Sequence, residues 1–157
     1  MTMLAAGLYD WLLFLHIVAA MVWFGGLVVL AAFVAAVVRA AEPDAIARFM
    51  RTLRRIGPLV LAPAPVALVG FGVWMVLDTD AWGFGQTWIW LALVLFGAAF
   101  LVGAAHQSRA AIAADRAATA GDHAEAIRQL RRWSWGTRLI VLLLLVATWD
   151  MVFKPGI

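Results

Sequence analysis

Trp11-Leu-Leu-Phe-Leu-His16-Ile-Val-Ala-Ala-Met-Val-Trp23-Phe-Gly25-Gly26-Leu-Val-Val-Leu-Ala-Ala-Phe-Val-Ala-Ala-Val-Val38 runs without one Asp, Glu, Lys or Arg. A helix needs about 20 apolar residues to cross a hydrocarbon core of about 30 Å, and this stretch exceeds that length. Three further apolar stretches follow, so the spans are 11–38, 59–77, 87–105 and 139–153. The 157-residue chain is 66% apolar, with a mean hydropathy of +0.95; soluble domains hold roughly 45–50%. Long continuous runs are unlike the short alternating strands of a membrane barrel. The absence of cysteine excludes disulfide scaffolds and thiolate metal sites. The predicted fold is all-α: a polytopic membrane protein, one integral membrane domain built as a four-transmembrane-helix bundle with cytoplasmic amphipathic helices.

Orientation follows from the basic residues, because Lys and Arg collect on the cytoplasmic side. Arg39, Arg48, Arg51, Arg54 and Arg55 follow the first span; Arg109, Arg116, Arg128, Arg131, Arg132 and Arg138 follow the third. These are eleven of the twelve basic residues. Asp10, Asp78, Asp80 and Asp150 lie on the other side with Lys154 alone. Both termini are therefore expected outside, in the periplasm of a bacterial inner membrane. No Lys or Arg precedes the first span, so it lacks the basic start of a cleavable signal peptide and is expected to remain as an anchor. Trp11, Trp74, Trp82, Trp88, Trp90 and Trp149 fall near outer span ends, where an indole suits the interface. Trp133 and Trp135 mark the inner interface, and Trp23 sits deep.

Between the first two spans, Ile46, Phe49, Met50, Leu53 and Ile56 recur at helical spacing with arginines between them. The pattern predicts an amphipathic helix lying on the inner leaflet, its arginines meeting anionic lipid. Topology explains this basic patch, and nucleic acid is not an expected partner. After the third span, an Ala-rich charged stretch continues the helix to Gly121, and Asp122 with Glu125 resembles a capping box. Pro58, Pro63 and Pro65 free backbone carbonyls and are expected to bend the second span. Ala19, Ala20, Gly25, Gly26, Gly70, Gly72, Gly97, Ala99 and Gly103 permit close helix packing in lipid.

His16 lies five residues inside Trp11, about 8 Å deep at 1.5 Å per residue. Ionisable groups at such depth face a bundle interior or cavity. A neutral imidazole there can ligate haem iron or copper through one nitrogen while the other is held by a neighbour. It can equally serve structure, bonded to a carbonyl of the next helix. Met75, Met151 and Lys154 share its side of the membrane as candidate second ligands, although Met is commonly a packing residue. Asp150 and Lys154 are four apart on the last helix and are expected either to pair at the boundary or to release Asp150 inward, where it would orient His16. His106, at the inner end of the third span, lies a bilayer's depth from His16, and His123 falls in the loop. Neither a nucleophile with a nearby base nor a phosphate-binding loop is present.

The segment from Trp11 to Gly26 resembles the opening helix of a bacterial superfamily that includes the copper-resistance protein D family and the HemJ-type protoporphyrinogen oxidases. The ending Met151-Val152-Phe153-Lys154-Pro155-Gly156 is similar to the M-V-x-K-P-G ending of a related four-helix membrane family of unknown function. The HemJ likeness implies haem b bound through His16; the lysine those enzymes carry early in the third helix has no counterpart in Gln86-Thr87-Trp88-Ile89-Trp90. The copper-resistance likeness implies copper at the outer face, again with His16. The expected function is therefore haem b binding with a redox or haem-handling role. Copper binding or transport at the outer face is one alternative. The other is an accessory subunit without a cofactor, in a homodimer or larger membrane complex.

Overall fold

The computed structural model describes residues 7–156. They form six α-helices, α1 (Leu8–Ala40), α2 (Pro43–Ile56), α3 (Pro63–Leu77), α4 (Thr87–Leu101), α5 (Ser108–Thr119) and α6 (His123–Phe153), with no strand among the described residues. Short π-helical segments, Gly57–Leu61 and Val102–Gln107, join α2 to α3 and α4 to α5. Four continuous rods result: Leu8–Ala40, Pro43–Leu77, Thr87–Thr119 and His123–Phe153. Each has 31 to 35 residues, or about 50 Å at 1.5 Å per residue, which outruns a core of about 30 Å.

The excess length lies at one end. There, at the basic end, α2, α5, the last turns of α1 and the first turns of α6 close around their own core. Val34, Ile46, Ala114, Ala126 and Leu130 in that core are fully buried. The apolar face of α2 is thus amphipathic as the sequence indicates, but it is turned onto α1, α5 and α6 rather than onto lipid. Its arginines are left outside: Arg54 reaches Asp115 of α5 at 3.2 Å, and Arg51 and Arg55 are exposed. Covering Ile46 and Phe49 with protein removes the apolar surface that an interfacial helix would have to bury in acyl chains.

Within the membrane half, α1 and α6 form the centre. Buried residues on α1 recur at Leu12, His16, Ala19, Trp23, Leu27, Leu30, Val34 and Val37, steps of three and four that keep one face of the helix inward. On α6 the steps alternate three and four through Leu130, Trp133, Thr137, Ile140, Leu144 and Ala147, as in a heptad seam. Helix α3 packs on α1 and α4 packs on α6, and a cleft runs between α3 and α4. Outward faces carry Phe14, Met21, Phe33 and Val94, all more than half exposed, as a lipid-facing surface requires.

Pro58, Pro63 and Pro65 fall where the second rod changes register. Proline has no N–H to give to the carbonyl four residues back, and the chain answers by widening: the Ala62 N–H reaches the Gly57 carbonyl at 2.9 Å, five residues back. The second π-helical segment has no proline to cause it. It brings two consecutive side chains, His106 and Gln107, against α6.

Candidate functional site

Two cavities occupy the cleft between α3 and α4, divided by Trp23 and Phe96, whose rings meet edge to face at 5.6 Å. The cavity at the acidic end has a volume of about 330 Å³, within the usual range of small-molecule sites. His16, Met75, Met151 and Lys154 all line it, so side chains from α1, α3 and the end of α6 meet around one space. Tyr9, Trp82 and Trp88 line its outer mouth.

His16 is 9% exposed. Its Nδ1 lies 2.9 Å from the Leu68 carbonyl oxygen. A carbonyl can only accept, so Nδ1 carries the proton and donates it, which leaves the lone pair of a neutral ring on Nε2. No partner for Nε2 occurs among the described residues. The approach depends on Gly72, one turn beyond Leu68: a Cβ there would stand 3.0 Å from His16 Cε1 and 3.2 Å from Nδ1. A side chain at 72 would therefore displace the ring.

His106 repeats the device. Its Nε2 donates to the Arg132 carbonyl at 3.1 Å, and a Cβ on Gly136, again one turn on, would stand 2.8 Å from His106 Cδ2. In both cases a histidine docks on the neighbouring helix where a glycine exposes a backbone carbonyl. Docking alone therefore does not distinguish His16. Its cavity does, together with its burial, for His106 sits exposed at the basic end.

The outer mouth is built by the loop after α3 and by the C-terminal residues. Trp82 donates its indole N–H to the Tyr9 hydroxyl at 3.3 Å, and Trp88 donates to Gln86 at 3.2 Å. Lys154 Nζ lies 4.1 Å from the Trp82 ring centre and 5.5 Å from that of Trp88, a cation held against two aromatic faces. Lys154 takes a left-handed conformation (φ 44°) as the C-cap of α6, and Gly156 another (φ 92°) against Thr87. That break carries Lys154 off the face it would share with Asp150 in a continued helix, so the two form no ion pair. Asp150 itself is fully buried, outside the cavity lining, and neither carboxylate oxygen has a hydrogen-bond partner. Orientation of His16 falls to Leu68 instead.

Among the described residues no three His, Asp or Glu side chains gather to hold a metal. A metal at His16 would have to complete its coordination from Met75, Met151 or Lys154, or from a ligand that brings its own donor atoms. Sequence reading pointed to His16, Met75, Met151 and Lys154; it missed Tyr9, Trp82 and Trp88 as the mouth and Gly72 as the notch. Gly72 was legible only as a small packing residue.

A family described as "Predicted integral membrane protein (DUF2269)" matches residues 10–155. The chain belongs to this family. The match to DUF2269 covers three rods whole and the first from residue 10, with His16, Gly72 and Lys154 inside it. No curated protein and no solved structure matches the chain.

Proposed function

We propose that this DUF2269 protein binds haem b at the acidic-end cavity, where His16 Nε2 would hold the iron, and serves a redox or haem-handling role. The observation that carries the reading is the state of His16: a buried imidazole whose Nδ1 proton is committed to Leu68, with an unengaged Nε2 in an apolar, aromatic-walled space. Metal-ligating histidines are held in just this way, by a carbonyl or carboxylate on the far nitrogen. Haem iron needs one or two protein ligands, because the macrocycle supplies the rest; that demand suits a cavity with a single imidazole. Haem would supply one-electron redox chemistry there.

The remaining residues have separable tasks. Met75 or Met151 offers a thioether as a second ligand. Lys154, the one lysine or arginine at this end among the described residues, offers a counter-charge for the carboxylates of haem, and the Trp82–Tyr9 contact shapes the mouth. The likeness to the copper-resistance and HemJ-type families supports the same histidine. Eleven arginines at the opposite end support a cytoplasmic basic end and a periplasmic cavity in a bacterial inner membrane.

An absorption spectrum of the purified protein is the test. A Soret band present in the native chain and in His106→Ala, but lost in His16→Ala, supports haem. Copper bound without such a band, and lost with His16, Met75 or Met151, would replace haem by the thioether–imidazole reading. Neither ligand would leave an accessory subunit.

A further inference from the structure

The cavity at the basic end is larger, about 540 Å³, and it holds no residue of the His16 site. Trp23, Trp133 and Ile140 form its floor. Its two walls are the π-helical segments and their neighbours, with Gly57 and Ala62 on one side and Gly103 and Ala104 on the other. Small residues on membrane helices ordinarily let backbones meet. Here a Cβ on Gly57 would find nothing within 4 Å, so glycine makes room at this wall instead of contact. Wide π turns on both sides, at the same depth, add to the opening; such turns recur at functional sites. Val66, Phe100 and Ile112 at the edges are 60%, 43% and 53% exposed, which leaves the cavity continuous with the layer where acyl chains lie.

Charge decides what enters. Arg54 stands at the cavity edge beside Asp115, with 58% of its side chain exposed. One guanidinium N–H is engaged and the others remain available. Arg51 and Arg55 flank it on α2, at the end that carries eleven of the twelve basic residues. An apolar slot whose edge carries the Arg54–Asp115 pair, with Arg51 and Arg55 beside it on α2, matches a molecule with a long hydrocarbon tail and an anionic head that can take the free N–H groups of Arg54. We propose that the basic-end cleft binds one anionic phospholipid, an acyl chain between the two π-helical walls and the phosphate at Arg54. This site is independent of the haem reading, since Trp23 and Phe96 separate the two cavities.

Native mass spectrometry of the purified full-length protein tests it, with dioleoyl phosphatidylglycerol or dioleoyl phosphatidylcholine added in detergent. The expected result is one retained phosphatidylglycerol, held in preference to phosphatidylcholine. Gly57→Leu, whose side chain enters open space, is expected to lose that lipid with an unchanged melting temperature. Arg54→Gln is expected to keep the fold and reduce the preference about fivefold, the weight of one arginine near an anionic surface. Equal retention of the two lipids, retention unaffected by both substitutions, or a dimer in which a second copy fills the cleft would each overturn the proposal.

Discussion

An imidazole inside a membrane bundle has two nitrogens to satisfy, and at His16 the carbonyl of Leu68 takes one of them. Gly72 makes that possible, because the ring occupies the space where a Cβ would stand. Gly72→Ala is therefore expected to push the ring off Leu68, free its tautomer and weaken haem retention about 10- to 100-fold, the usual weight of an outer partner of a metal ligand. Haem titration of the stripped protein measures this, and unchanged affinity would mean that Leu68 does not set the ring. That Met75, Met151 and Lys154 lie at the same end of the bundle as His16 was legible in the sequence, since charge and Trp positions sort the span ends. The true partner of His16 was not. A backbone carbonyl has no letter of its own, and Asp150, the residue whose chemistry suggested an orienting role, makes no hydrogen bond to any described residue. Lys154 was legible as a neighbour of the site, but its place against Trp82 was not, because the left-handed cap that turns it there cannot be read from i, i+4 spacing.

At the scale of elements, α2 separates what periodicity reveals from what it leaves open. Spacing shows an apolar face, but lipid and protein can both cover one. The structure covers it with protein, and Ile46 is fully buried against the ends of three other helices. Ile46→Ala is expected to cost about 2–5 kcal/mol, as deletions in packed cores do. Thermal unfolding in detergent measures it; a helix resting on the membrane surface would lose little stability. The π-helical segment Val102–Gln107 has no proline and no local signature, because its register is set by where His106 and Gln107 find partners on α6. The proline-bearing segment was foreseeable as an irregularity from Pro58, Pro63 and Pro65; its form, a widened turn, was not.

For the whole molecule, four long rods packed around α1 and α6 leave a cleft between α3 and α4, with one cavity toward each end. Which end faces the cytoplasm is fixed by the arginines if membrane insertion follows its usual rule. The native chain has no cysteine, so single cysteines report side directly. Asp80→Cys is expected to react with a membrane-impermeant maleimide on intact cells, and Ala120→Cys only after lysis; the reverse pattern would invert the orientation. The four spans and the basic end were readable from composition, whereas the cleft was not, since it depends on which helices become neighbours. The haem reading rests on a nitrogen at position 16, and chemical rescue tests that nitrogen apart from the fold. In His16→Gly the Soret band is expected to disappear and to return when imidazole is added to the protein with haem. A band that survives in His16→Gly, or a native protein that takes up no haem, would contradict it.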